Sequence, residues 1–212
     1  MLRQAKICAK MNIPKEKERE IMFKFFAYLS RMKEIKRWAL MRSVREENIM
    51  EHSQQVAVLA HALALITNKK FGGNVDVNKV VLLAQYHEVS EVITGDLPTP
   101  IKYFNPEIKH AYKDLEKNAS LRILSMLPED LKGEYEQFIL PETDSEEYKL
   151  VKLADRLSAY IKCLEELKFG NKEFKKAKTS IEQDLKNSNN KAVNYYLKEF
   201  APAHELTLDE LD

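Results

Sequence analysis

Glycine is scarce, with five in 212 residues, and Val, Ile and Thr do not cluster in alternating runs. Both absences argue against a sheet-rich fold. Cysteine is nearly missing too. Cys8 and Cys163 stand far apart, which excludes a disulfide framework and a zinc knuckle and fits a reduced, cytoplasmic setting. No charge of one sign prevails: 34 Lys and Arg face 33 Asp and Glu, a formal net charge of +1. No global field therefore draws the chain to nucleic acid or to an anionic membrane. Long apolar runs are lacking. Val56–Ile66 and Val80–Ala84 are too short to span a bilayer. The N-terminus has no apolar core of a secretory signal. What remains is 44% hydrophobic residues, enough for a sizeable core, in a chain expected to be all-α.

Apolar spacing predicts the helices. Residues 1–20 are charged and irregular and read as an N-terminal extension before a single domain over 21–212. Ile21–Met32 has helical spacing, and 33–51 reads as a loop. A helix opens at His52, runs through Val56–Ile66 and stops at Phe71-Gly72-Gly73-Asn74. Asp76 or Asn78 can cap the next helix, which is predicted to pass through Val80 and Ala84 to His87 and beyond. Thr94-Gly95-Asp96-Leu97-Pro98-Thr99-Pro100 must break helix. Further helices are predicted from about Pro106 to Met126, after Pro128, over Leu150–Leu167 behind a cap at Ser145, and near 172–187 and 190–200.

Four residues next to these apolar runs need a reason to be there. His52 opens one helix, and His87 is followed directly by Glu88 with Glu91 one turn on. Asp155 shares a stripe with Val151, Ala154 and Ser158 and so points toward the interior or its edge. Burying an unpaired carboxylate is costly, and a metal or a cationic partner removes that cost. Two imidazoles with two carboxylates suit Co, Mn, Ni, Fe or Zn rather than calcium. Arg37-Trp38 is the other pair of note. Arginine donates bidentately to phosphate, and an indole offers a flat wall to a sugar. The plain alternative is a tryptophan that anchors its loop to the core. His61, His110 and His204 read as structural, Cys163 as a small buried hydrophobe, and the Lys/Glu runs as solvated faces.

A histidine, then a histidine–acid doublet some 35 residues on, then a distant helical aspartate resembles the layout of HD-domain metal-dependent phosphohydrolases. Arg37-Trp38, Glu51-His52-Ser53, Tyr86-His87-Glu88 with Glu91, Thr94–Pro100 and Ala154-Asp155 together resemble, more closely, the bacterial 5′-deoxynucleotidases of the YfbR type. The resemblance implies an HD-domain helical bundle that acts as a homodimer on deoxyribonucleoside 5′-monophosphates. It implies a divalent metal, cobalt first, with Mn, Ni, Zn, Fe or Cu as alternatives, held by His52, His87, Glu88 and Asp155. Arg37, Glu91 and Asp96 would be catalytic. Substrate would meet Arg37, Trp38, His52, Asp96, Leu97, Pro98, Thr99 and Asp155.

In one place the chain departs from the pattern. The family carries Asp after the second histidine, where this chain has Glu88, longer by one methylene. Two alternatives follow: a nucleotide-binding protein with impaired catalysis, or an HD hydrolase of another phosphate ester.

Overall fold

A computed structural model describes residues 22–102 and 104–212. The predicted extension at 1–20 lies outside the described residues, as does Cys8. Among the described residues there are helices and short 3-10 turns and no strand, only an isolated antiparallel bridge between Lys36 and Asn48. The all-α expectation holds.

The described residues form ten α-helices in order: α1 Phe25–Leu29, α2 Ile49–Phe71, α3 Val77–Tyr86, α4 Glu91–Thr94, α5 Thr99–Lys102, α6 Pro106–Leu124, α7 Glu129–Ile139, α8 Glu146–Lys168, α9 Lys175–Asn187 and α10 Lys191–Glu199. Side-chain caps set several of the starts. Asn48 accepts from the backbone of Met50 and Glu51, Asp76 from Lys79, Asn105 from Ile108 and Ser145 from Tyr148. Each such cap contributes about 1 kcal/mol. Gly72, at φ 71°, ends α2 in a left-handed conformation that favours glycine.

Several boundaries differ from expectation. Helix α2 starts at Ile49, not His52, because Asn48 supplies the cap one turn earlier. The N-terminal helix is only five residues of α-helix, followed by a 3-10 turn over Ser30–Glu34. The proline-rich break is real at Gly95 (φ 73°), yet Thr99–Lys102 forms a single turn. Pro100 lies in its first turn, where a missing N–H costs nothing.

Two apolar cores result. The larger joins α2, α3, α8, α9 and α10 around Val56, Leu63, Leu83, Leu157, Ile161, Phe174 and Leu185. The smaller joins α1, α6 and α7 around Phe25, Ile49, Val89 and Ile123. Fully burying each such side chain stabilises by about 1.5–3 kcal/mol. The seam between the cores is what positions the site. His52 lies between Ile49 of the smaller core and Val56 of the larger. His87 and Glu88 likewise lie between Ala84 and Val89.

Candidate metal centre and substrate clamp

Four side chains meet at that seam. His52, His87, Glu88 and Asp155 each offer a ligand atom, and these atoms all lie within 4.8 Å of one another. Helix α2 brings His52, the end of α3 brings His87 and Glu88, and α8 brings Asp155.

The turn after α3 corrects one expectation. Helix α3 does not continue through His87 but ends at Tyr86. His87 Nδ1 hydrogen-bonds to the Ala84 carbonyl at 2.6 Å, and the backbone tightens into i to i+3 bonds, Val89 to Tyr86 and Glu91 to Glu88. Glu88 therefore sits on a turn and Glu91 opens the separate short helix α4, so the two do not share one face of a continuous helix. The Glu88 carboxylate offers an oxygen within 4.8 Å of the donor atoms of the other three residues.

Counting hydrogens exposes what the cluster lacks. Ser158 donates its hydroxyl proton to Gln55 Oε1 at 2.7 Å, so it accepts from His52 Nδ1 at 3.3 Å. His52 is kept neutral near pH 7, because burial and then the Arg37 charge lower its pKa. With its proton on Nδ1, the bare Nε2 faces Asp155 Oδ1 at 3.1 Å. His87 repeats the pattern. Its Nδ1–H serves the Ala84 carbonyl, and Nε2 lies 3.1 Å from Glu88 Oε1. That approach lacks hydrogen-bond geometry, so the buried Nε2 has no partner. Glu88 Oε2 and Glu91 Oε2 are also buried without partners. Two imidazole lone pairs thus point at two carboxylate oxygens. The arrangement repels unless a cation stands between them, and a divalent metal fits this donor set.

The charges around the cluster respond to one another. Burial opposes ionisation of Glu88, but the charges around it, Arg37 among them, hold its carboxyl well below the usual range. Asp155 is depressed in the same way: burial acts against it, while the Lys152 charge, at 3.0 Å, outweighs burial. Glu91 goes the other way. Burial, then the Glu88 charge and Asp96, push it up to about 11, so it holds a proton at neutral pH.

Arg37 and Trp38 sit beside the cluster on the loop before α2. Burial disfavours the Arg37 charge, yet Glu88, Asp155, Glu47 and Asp96 outweigh it and raise the pKa. Both readings of Trp38 have support. Its ring packs on Phe174 with centroids 5.3 Å apart, and it remains partly exposed. Its backbone is at φ 58°, an unusual conformation for a bulky residue that costs about 1–3 kcal/mol. Burial raises the Asp96 pKa and the like charge of Glu88 adds to the rise, while Arg37 opposes it. Leu97 and Pro98 are half-buried, and Thr99 is exposed at the start of α5. A cavity of about 680 Å³ opens on His87, Glu88 and Glu91, with Lys102 and Lys152 on its wall.

Sequence reasoning missed several participants. Glu47 accepts from Arg37 Nε at 3.3 Å and from the Trp38 indole at 3.0 Å. Lys152 pairs with Asp155, one turn earlier on α8. Glu166 and Lys162 pin the loop that carries Arg42 to Arg45. The i, i+3 and i, i+4 spacing could have flagged the last two pairs. The remaining histidines lie apart: His61 and His110 are exposed, and His204 pairs with Tyr196 at 3.2 Å. Cys163 is buried, as expected.

Residues 24–204 match the family described as 5′-deoxynucleotidase YfbR-like. A 5′-deoxynucleotidase of Vibrio cholerae serotype O1 is 54% identical over 188 residues, covering 88% of this chain and 97% of its own. The 5′-deoxynucleotidase YfbR of an Escherichia coli strain is 53% identical, covering 88% and 94%. Among solved structures, an HD-domain phosphohydrolase of Listeria innocua superposes with a TM-score of 0.74 at 22% identity, covering 85% of this chain and 88% of its own. That likeness speaks for the fold.

Proposed function

The chain belongs to the YfbR-like family of 5′-deoxynucleotidases, and we infer that it releases phosphate from deoxyribonucleoside 5′-monophosphates with the aid of a divalent metal. One observation carries the metal-centred part of this reading: the two bare imidazole nitrogens that face carboxylate oxygens at 3.1 Å. His52, His87, Glu88 and Asp155 would hold the ion. When bound, it supplies Lewis acidity toward the phosphate and a water of lowered pKa. Cobalt is the first choice on resemblance, and the mixed nitrogen and oxygen donors equally suit Mn, Ni, Zn, Fe or Cu.

The protein's own groups share the remaining work. Arg37 places a fixed positive charge where the phosphate oxygens gain charge in the transition state. Lys102 and Lys152 add to the positive wall of the adjoining cavity. Glu91 carries a proton within the buried site and is suited to deliver it to the departing 5′-oxygen. Trp38 walls the sugar, where a 2′-hydroxyl would lose its water without gaining a partner. Asp96, Leu97, Pro98 and Thr99 complete the nucleotide side. Neither nucleic acid nor a membrane is implied. Among the described residues no helix is long and apolar enough to cross a bilayer. The resemblance also implies a cytoplasmic homodimer, which sedimentation would test for assembly.

Phosphate release from dAMP and AMP by metal-stripped protein, with Co²⁺, Mn²⁺ or no metal restored, tests the reading. Metal-dependent release from dAMP with little from AMP is the expected result. Folded protein that binds dAMP but releases nothing with any metal would overturn the hydrolase. Recovery in Glu88→Asp would then assign the lesion to Glu88. Equal rates on AMP and dAMP would instead favour a different phosphate ester.

A further inference from the structure

Glu47 was not anticipated, and it stands at the meeting point of everything the loop before α2 contributes. Its Oε2 accepts from Arg37 Nε at 3.3 Å and from the Trp38 indole N–H at 3.0 Å. Its Oε1 faces His52 Nδ1 at 3.8 Å, within ion-pair range but beyond a hydrogen bond. The backbone joins in, for Arg37 N–H donates to the Glu47 carbonyl at 2.9 Å. The side chains of Glu47 and Arg37 are only 12% and 13% exposed, so water competes poorly for these contacts.

The chemistry of each contact points the same way. The Arg37 bond uses Nε and leaves both terminal nitrogens of the fork for a second, anionic partner. The indole bond fixes the ring in its own plane, with a face left for another group. A bulky residue at positive φ keeps that conformation only where its surroundings over-determine it. For Trp38 those surroundings are Phe174, the Glu47 carboxylate and the bond from Met41 N–H to its own carbonyl at 2.8 Å. Metal-ligating histidines commonly have a carboxylate near the other ring nitrogen. Here Ser158 accepts a hydrogen bond from His52 Nδ1–H, and Glu47 lies just beyond.

We propose that Glu47 is the positioning residue that holds Arg37 and Trp38 in register with the metal centre, and that it thereby sets the preference for a 2′-deoxy sugar. The proposal rests on the deoxynucleotidase reading above. Its premise is that a sugar is discriminated by where the indole sits, and among the described residues Glu47 is what the indole N–H is bonded to. Removing the carboxylate frees the indole and strands its N–H, while the four ligand side chains keep their own supports.

Trp38 is the only tryptophan of the chain, so its fluorescence reads the proposed effect directly. Glu47→Ala and Glu47→Gln would be compared with wild type for kcat and KM on dAMP and AMP. Emission and acrylamide quenching of Trp38, with and without dAMP, and thermal unfolding complete the set. In Glu47→Ala the dAMP-over-AMP ratio of kcat/KM is expected to fall about ten-fold, chiefly through KM. Trp38 emission should shift to the red and quench more readily. Glu47→Gln keeps an acceptor for the indole but loses the charge beside Arg37. It should hold the wild-type emission and sugar ratio while KM for both nucleotides rises about ten-fold. If the alanine variant does not fold, this pattern in the glutamine variant decides. An unchanged ratio and emission in Glu47→Ala would overturn the proposal. So would equal loss of kcat on both substrates with emission unmoved, or a glutamine variant with wild-type KM. Wild-type protein that neither hydrolyses dAMP nor changes emission on binding it would overturn the underlying reading, a result distinct from a failure of Glu47 alone.

Discussion

Helix α8 carries two buried charged clusters about three turns apart, and they differ in how fully their polar atoms are paired. At its middle, Asp155 joins His52, His87 and Glu88, where buried donor atoms lack partners. At its end, Glu166 is 1% exposed and accepts from Val44 N–H at 2.8 Å, Arg45 N–H at 3.3 Å, Asn171 Nδ2 at 2.7 Å and Lys162 Nζ at 2.5 Å. Lys162 also donates to the Arg45 carbonyl at 2.5 Å. Both clusters have to offset the cost of burying charge. The satisfied one does so within the protein and acts as a clamp on the loop that bears Arg37 and Trp38. The unsatisfied one leaves its lone pairs aimed at a common point, which is what a cation site requires.

The contrast can be broken from either side. The largest effect is expected for Asp155→Asn. The amide can donate to the bare Nε2 of His52, so thermal stability should hold or rise, while phosphate release falls by about a thousand-fold. A large loss of stability in that variant would mean that the cluster is structural. Glu166→Ala should do the reverse. It leaves the buried Lys162 without its counter-charge and two loop N–H groups without their acceptor, and urea unfolding should show a loss of about 3–5 kcal/mol. A loss under about 1 kcal/mol would deny the clamp its role.

Acid sharpens the same comparison. Burial alone would raise the Glu166 pKa, but Lys162, Val44, Asn171 and Arg45 hold it down to about 2, against an ordinary 4.5. Because the folded pKa is depressed, the contribution is present above the unfolded value and is lost as pH falls from about 4.5 toward 2. It amounts to about 3 kcal/mol. Urea midpoints from pH 6 downward should therefore drop less in Glu166→Gln than in wild type. The smallest expected effect comes from metal. Saturation at a hundred times the dissociation constant should stabilise by about 2.7 kcal/mol, read as a rise in Tm that a chelator reverses. Asp155→Asn should lose that rise, and Glu166→Gln should keep it.

How much of this was legible in the sequence follows the same division. The four tetrad residues could be read because imidazoles and carboxylates beside apolar runs are anomalous on their own. Helix interiors were legible from their spacing, but ends were not, since a single cap such as Asn48 moves a boundary by a turn. The tightening at His87 depends on its ring reaching the Ala84 carbonyl, which spacing does not encode. The Glu166 clamp was invisible because its loop partners are backbone N–H groups that any residue supplies. Glu47 was hidden among neighbouring charges, Glu46 and Glu51, that read as a solvated loop.

The most direct measurement is equilibrium dialysis of metal-stripped protein against Co²⁺, for wild type, Asp155→Asn and Glu166→Gln. One tightly held ion per chain in wild type and Glu166→Gln, and weakened or absent binding in Asp155→Asn, is the predicted result. No bound ion in folded wild type, or binding that Asp155→Asn leaves untouched, would contradict the assignment of the unsatisfied cluster as the metal centre.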